Sequence, residues 1–153
     1  MINVKFEIKG LDRLKEALNK APEATISEVS KAVQKSALTI QSAAIKEAPV
    51  NKKSGGGNLR QNIKTNLLTK TRAEVVSRAP YSIFVEAGTR PHEIRIRNKR
   101  VLADRRAGEI YGTRVRHPGT RANPFMRRAL ERSIGKVNEF FKTAIINVFN
   151  TLK

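Results

Sequence analysis

The C-terminal stretch carries the strongest structural constraint in this sequence, a helical spacing of large apolar side chains. Asn123 is a favoured helix cap, and Pro124 fits the first position of a helix. The apolar residues that follow recur at intervals of three or four: Met126, Leu130, Ile134, Val137, Phe141, Ile145, Val148 and Leu152. The pattern predicts one helix, roughly 43 Å long, against which the rest of the chain packs.

A second pattern of helical spacing lies between Pro22 and Pro49. Proline is tolerated in the first turn of a helix, and the residue before a proline is pushed out of helical conformation. Pro22 therefore opens this predicted helix, and the step from Ala48 to Pro49 ends it. Its apolar face comprises Ile26, Val29, Val33, Ala37, Ile40 and Ala44.

Shorter patterns predict the remaining elements. Alternation from Val4 to Ile8 indicates a strand, and a helix follows with Leu11, Leu14 and Leu18 on one face. Two β-type runs, NIKTNLL and RAEVVSRA, predict a hairpin within residues 59–79. A short apolar element over residues 80–88 ends at a glycine, and HEIRIR at residues 92–97 alternates like a strand.

This order of elements predicts an α+β fold. A small antiparallel β-sheet packs against an N-terminal helical segment and the long C-terminal helix, in a single domain over residues 1–153. Residues 50–58, with three consecutive glycines, and residues 98–111, which are charged and unpatterned, are predicted to be mobile loops. Both are expected to become ordered on assembly.

The charge is strongly basic, with 31 Lys and Arg against 13 Asp and Glu, a net charge of +18. The excess lies after residue 48 rather than in a detachable tail. Such a field favours nucleic acid, an anionic membrane or an acidic protein, and does not choose among them. No apolar run approaches the length of about 18 residues that spans a bilayer, and the N-terminus does not read as a signal peptide. The sequence therefore predicts a soluble, non-secreted protein.

Catalytic and cofactor chemistry finds little support. His92 and His117 are the only histidines, there is no cysteine, and no metal-ligand spacing is present. No serine lies in a G-x-S-x-G setting, and the glycines of the loop KKSGGGN are not followed by the lysine and hydroxyl of a phosphate-binding loop. The prediction is a protein with no catalytic residues, no metal and no cofactor.

A DNA-binding module is the alternative that the charge supports. The candidate contacts to the phosphate backbone are Lys52, Lys53, Arg95, Arg97, Lys99, Arg100, Arg105 and Arg106. Aromatic residues that could stack on bases are sparse, with two tyrosines and no tryptophan. The sequence thus allows backbone affinity but offers no apparatus for base readout.

Three stretches, in order, resemble the head–tail joining, tail-completion or neck proteins of long-tailed bacteriophages. The first is APV at residues 48–50 with GNLR at residues 57–60; the second is APYSIFVEAGTRPH at residues 79–92; the third is VRHPGTRANPFMR at residues 115–127. The first departs from the family pattern, because a longer and more basic loop replaces an acidic turn. No contact assigned to that turn is carried over.

The resemblance implies a non-enzymatic virion protein at the head–tail junction, assembled in the host cytoplasm. It further implies a homo-oligomeric ring, a hexamer to match the tail tube, with other head-closure and tail proteins as partners, non-specific contact with viral DNA and no membrane. The expected interface residues are Glu86, Arg90, His92, Arg114, Arg116, His117 and Arg121. Glu86 is expected to pair with an arginine of a neighbouring subunit, the alternative being an arginine of its own subunit.

Overall fold

The computed structural model describes residues 23–50, 56–96, 101–104 and 108–151. Ten elements follow one another: α1 Glu23–Glu47, α2 Asn58–Gln61, β1 Ile63–Thr69, β2 Arg72–Ser77, α3 Ser82–Ala87, β3 His92–Arg95, β4 Leu102–Asp104, β5 Glu109–Gly112, β6 Arg114–His117 and α4 Phe125–Thr151. The strands form three antiparallel pairs, β1–β2, β3–β6 and β4–β5. The predicted α+β class is confirmed. The strand predicted at Val4–Ile8 and the helix with Leu11, Leu14 and Leu18 lie outside the described residues.

The chain divides into two compact units. The first combines residues 1–82 with residues 124–153, and the second comprises residues 83–123. The first unit holds α1, the β1–β2 hairpin and α4, and the second holds the other two strand pairs. The single domain over residues 1–153 stays a prediction.

The helices α1 and α4 pack side by side and run antiparallel. Near one end of the pair the Asn147 side chain donates a 2.8 Å hydrogen bond to Glu28. Near the other end, Glu47 forms ion pairs with Arg128 and Arg132. The predicted long C-terminal helix is confirmed, although it begins at Phe125, one residue later than expected. No helix within the described ranges is long and apolar enough to cross a membrane.

The face that α4 buries matches the predicted one only in part: Met126 is buried, and Leu130, Val137, Phe141 and Val148 are half-buried. Ile134 and Ile145, expected in the core, are more than half exposed. The buried positions are instead mostly small and follow the two large residues of the first turn: Phe125, Met126, Ala129, Ser133 and Ala144. On α1 the buried residues are small as well, among them Ala32, Ser36, Ala37 and Ala44. Small side chains let two helix backbones approach closely, so the contact selects them over the bulkier apolar stripe.

The Glu47 carboxylate anchors the end of this helix pair. Its side chain is only 13% exposed, and Arg128 Nε donates to it at 2.9 Å. That hydrogen bond, followed by the charge of Arg132, holds the pKa of Glu47 below its usual value. A carboxyl whose pKa is depressed on folding stabilises the folded state above its unfolded pKa, about 4.3. The contribution disappears as the pH falls through the lower folded pKa.

Glu47→Gln is therefore expected to lower the free energy of unfolding at pH 7 and to lose this effect at low pH. Urea denaturation of both proteins between pH 7 and pH 3 measures the difference. Glu139→Gln is the matched control, because Glu139 is an exposed residue on α4 and forms no ion pair with a described residue. A Glu47→Gln deficit that stays constant over this range would contradict the ion-pair assignment.

The end of α1 is capped by an arginine from the next element. Arg60 Nε donates 2.9 Å to the carbonyl of Ala48, and its terminal nitrogen donates 3.4 Å to the carbonyl of Lys46. These carbonyls have no partner inside the helix, and a cation at this end also complements the helix dipole. Leu59, beside Arg60, is buried. The Leu-Arg pair of GNLR thus fixes the return of the chain onto α1.

The β1–β2 hairpin is confirmed and is attached to α1 by Gln41. The Gln41 side-chain amide donates 2.9 Å to the carbonyl of Ile63 and accepts 3.1 Å from the hydroxyl of Thr65. Ile63 and its cross-strand partner Ser77 are buried, whereas Leu67 near the turn is exposed. One end of the hairpin therefore belongs to the core and the other does not.

The local predictions were incomplete. Residues 98–111 contain β4 and most of β5 rather than loop alone. Residues 59–61, which precede the first β-type run, are helical, and residues 114–117, for which no element was predicted, form β6. The strands missed are three or four residues long and rich in charge, so they lack the apolar alternation that marks a half-buried strand. Whether residues 50–58 and 98–111 are mobile stays a prediction, and the parts 51–55, 98–100 and 105–107 lie outside the described residues.

Candidate functional site

Two copies of the tripeptide Gly-Thr-Arg pair with each other in the second unit. The backbone N–H of Thr89 donates 2.9 Å to the carbonyl of Thr120, and the N–H of Thr120 donates 3.1 Å back to Thr89. A further bond, 2.8 Å long, runs from the N–H of Asn123 to the carbonyl of Val85. We call the paired segments 88–90 and 119–121 the Gly-Thr-Arg clasp.

Both glycines of the clasp are required by its geometry. Gly88 has φ 72° and Gly119 has φ 89°, values that L side chains rarely adopt. A Cβ on Gly88 would overlap the carbonyl oxygen of Thr120 and lie 2.7 Å from the amide nitrogen of Ala122. A Cβ on Gly119 would overlap the carbonyl oxygen of Thr89. The two backbones are therefore closer than any other residue type permits.

The β3–β6 and β4–β5 pairs form what we call the ribbon, which extends beyond the clasp. Six residues, 96–101, separate β3 from β4, whereas Thr113 alone separates β5 from β6. The N–H of Ile96 donates 3.2 Å to the carbonyl of Thr113 at this bulge. Most described ribbon side chains are exposed, and an isolated two-stranded ribbon is marginally stable in water. An exposed ribbon of this kind gains stability when a partner covers it.

One face of β3–β6 is aromatic and apolar. His92 pairs with His117 across the strands, and Ile94 pairs with Val115 two residues further on. The two imidazole rings stack with centroids 5.0 Å apart. His92 Nδ1 lies 2.9 Å from the carbonyl of Arg90 and so carries the proton, whereas His117 Nδ1 accepts 3.0 Å from the N–H of Gly119. Both rings are thereby oriented by the clasp.

The opposite face of β3–β6 is charged, and Glu93 is at its centre. Arg95 and Arg114, which pair across the strands, approach one oxygen of Glu93 at 3.0 and 2.5 Å. The hydrogen bond from Arg95, followed by the charge of Arg114, lowers the pKa of Glu93. The same pairing raises the pKa of Arg95. These two arginines are thus neutralised in part within their own chain.

Three other predicted interface arginines remain without a side-chain partner among the described residues. Arg90 and Arg121 belong to the clasp, and Arg116 belongs to β6; all three are exposed. Glu86 lies on α3, is half-buried and has at least one interaction partner in the structure. The structure thus places every predicted interface residue in the second unit, and their contacts with another subunit stay a prediction.

The predicted phosphate contacts are described only in part. Arg95 lies in β3 and pairs with Glu93. The others lie outside the described residues: Lys52, Lys53, Arg97, Lys99, Arg100, Arg105 and Arg106. The described part of the chain contains no group of three or more His, Asp or Glu side chains that could hold a metal ion.

Two features of the site were not predicted from the sequence: the ion pairs of Glu93 and the pairing of two Gly-Thr-Arg copies. Glu93 was not assigned a role, although antiparallel pairing of HEIR with RVRH puts it opposite Arg116 and within reach of Arg114. The tripeptide Gly-Thr-Arg recurs at 88–90, 112–114 and 119–121, and only the outer two copies pair. The repetition was a usable signal, but sequence alone does not say which copies meet.

The comparisons with known proteins give one match. The model of the HK97-gp10-like family, described as "Bacteriophage HK97-gp10, putative tail-component", matches residues 12–88. This range covers half of the chain, includes Arg60 with its helix cap, and ends at Gly88 of the clasp. Searches of curated proteins and of solved structures gave no match. The chain therefore belongs to the HK97-gp10-like family of bacteriophage tail components and is a structural phage protein.

Proposed function

We propose that this protein acts at the head–tail junction of a long-tailed phage, where it completes the tail or joins it to the DNA-filled head. It works there without catalysis, as a homo-oligomeric ring in contact with other head-closure and tail proteins. The tail-component family supports a place in the virion.

The observation that carries the proposal is the clasp. Residues 79–92 and 115–127, the two longest stretches that resemble head–tail joining proteins, meet at the bridge between Thr89 and Thr120. The two stretches that carry the resemblance in sequence are therefore also neighbours in the fold. A paired backbone at this point holds the neighbouring arginines in fixed positions, so little ordering entropy is lost when they bind.

The charge of the clasp and ribbon fits a docking role. Residues 83–123 contain ten Arg and Lys against four Asp and Glu, and Arg90, Arg116 and Arg121 project without a partner in the described chain. Arginine forms two-pronged hydrogen bonds with carboxylates. Such arginines suit an acidic surface on a neighbouring subunit or on a docked ring. A hexamer would match the sixfold symmetry of a tail tube, and the contacts between its subunits would be heterologous.

Deletion of the gene in the producing phage tests the proposal. Negative-stain microscopy of the lysate is expected to show full heads separate from tails, or tails of aberrant length, and the infectious titre should collapse. Supply of the intact gene in trans should restore joined particles. Normal infectious particles without the gene would refute the junction role.

A DNA-binding module is the second candidate, supported by the same exposed arginines and the net charge of +18. Salt dependence separates the two. Affinity carried by about six or more phosphate contacts should fall at least about 10³-fold between ~50 and ~200 mM salt. Joining of heads and tails in extracts is expected to change by less than about tenfold, because salt screens the few arginine–carboxylate pairs but does not weaken the apolar contacts of a packed ring. A joining activity that falls in parallel with DNA affinity would favour the DNA-binding function.

A further inference from the structure

The ribbon carries an open groove that neither the sequence nor the family assigns. It measures about 580 Å³, and most of its lining is apolar: Ile94, Leu102, Tyr111, Val115 and Pro118. Arg116 and His117 complete the lining. Ile94 and Tyr111 are 36% and 46% exposed. Exposed apolar side chains that cluster in this way usually mark an interaction site.

We propose that this groove binds an extended acidic segment of another virion protein, through an apolar side chain flanked by Asp or Glu. The inference rests on the proposed function, since it supplies the partner contact that a junction protein needs. It goes further by naming the surface and the chemistry of its occupant.

Charge complementarity selects an acidic occupant. The unit around the groove carries ten basic against four acidic residues. Arg116 borders the groove, although its side chain belongs to the face of β3–β6 that also carries Glu93, and it has no side-chain partner in the described chain. The same unit of a second copy would repeat this excess of positive charge against the groove. Carboxylates on a different protein would instead form charge-assisted hydrogen bonds with the arginine.

The lining selects a protein over nucleic acid. Ile94, Leu102 and Val115 offer an aliphatic surface that a sugar-phosphate backbone cannot cover. Tyr111 is the one aromatic residue in the lining other than His117, so a run of stacked bases finds no platform. An apolar side chain from a peptide, by contrast, gains free energy from every aliphatic group it covers.

The backbone of the ribbon favours an extended segment. Each described ribbon strand pairs with one other strand only, so an outer edge of each pair presents free N–H and C=O groups. A peptide in β-conformation can hydrogen-bond to such an edge while alternate side chains enter a pocket. The groove and the strand edge would then both bind the same segment.

The test places a photoreactive benzophenone amino acid at Ile94 or at Ile110 in otherwise intact phage. Ile110 is the matched control, because it is 73% exposed on the same ribbon but does not line the groove. Irradiation of assembled particles, followed by mass spectrometry, is expected to link position 94 to a different virion protein. The linked peptide should contain an apolar residue with at least two nearby Asp or Glu, at a yield about tenfold above that from position 110.

Equal yields from the two positions, no product from position 94, or a product with DNA or with a second copy of this chain would overturn the proposal. Ile94→Ser and Ile110→Ser give an independent readout in phage lacking the gene. Ile94→Ser should restore about tenfold fewer infectious particles than Ile110→Ser, and equal titres would overturn the proposal. If deletion of the gene leaves normal particles, the junction role fails, whereas the crosslinks still decide the groove.

Discussion

Phe125→Ala is expected to lower the free energy of unfolding by about 3 to 5 kcal/mol, the usual cost of removing a buried phenylalanine. Phe125 is fully buried at the first turn of α4, next to the buried Met126. Phe125 lies two residues after the end of the second unit in the sequence. A cavity there removes the dispersion contacts that the ring makes at the start of the helix. Such a loss is a large part of the 5 to 15 kcal/mol that typically stabilise a domain.

Phe149→Ala is the matched control, because Phe149 lies on the same helix and is 65% exposed. Urea or thermal denaturation of the three proteins gives the comparison, and Phe149→Ala should change the free energy of unfolding by less than about 1 kcal/mol. Equal losses at the two positions would contradict the burial of Phe125 at the start of α4 and the exposure of Phe149.

The two long helices could be predicted because periodicity, caps and prolines act locally. Pro22, Pro49 and Asn123 fixed their ends to within a residue or two. The packing face of α4 could not be predicted in the same way, because the helix has two apolar stripes. Large residues marked the first stripe, but the close approach of α1 selected the second, which contains Ala129 and Ala144.

The ribbon could be predicted only in part, for a different reason. HEIRIR alternates enough to indicate a strand, but its partner RVRH carries mostly charge, and β4 and β5 are too short to show a period. Their pairing is set by cross-strand contacts such as that of Glu93 with Arg114. Contacts of this kind connect distant parts of the chain, so no local window contains them.

The candidate site was found as a set of residues but without its geometry. The resemblance to head–tail joining proteins pointed to Arg90 and Arg121, and the structure places both in the clasp. The sequence could not show that Arg114 is already paired with Glu93, while Arg116 forms no ion pair with any residue that the structure describes. This difference decides which arginine is available to a partner.

Gly119→Ala is expected to open the clasp. At φ 89° an added Cβ costs roughly 1 to 2 kcal/mol in the backbone alone. It would also overlap the carbonyl oxygen of Thr89, which cannot move away without breaking the two backbone hydrogen bonds to Thr120. Each of these bonds contributes about 0.5 to 1.5 kcal/mol, so the paired segments should separate in most molecules.

Gly112→Ala isolates the effect of the contact from that of the backbone angle. Gly112 has φ 84°, and nothing lies within 4 Å of its added Cβ. Both variants therefore carry the same conformational strain, but only Gly119→Ala meets a second backbone. Amide hydrogen exchange is the measurement, because the clasp lies in the second unit, which a global unfolding curve need not report.

Exchange of the Thr89 and Thr120 amides should accelerate by about 5- to 150-fold in Gly119→Ala, which corresponds to the loss of both bonds, and much less in Gly112→Ala. The same pair of variants then tests the link from clasp to function. If the clasp positions Arg90 and Arg121 for docking, Gly119→Ala should abolish complementation of the deleted gene while α1 and α4 keep their protection from exchange. Similar acceleration in both variants would show that the positive φ of the glycine matters and that its contact with the Thr89 backbone does not. The contact within the clasp would then not be needed for junction assembly.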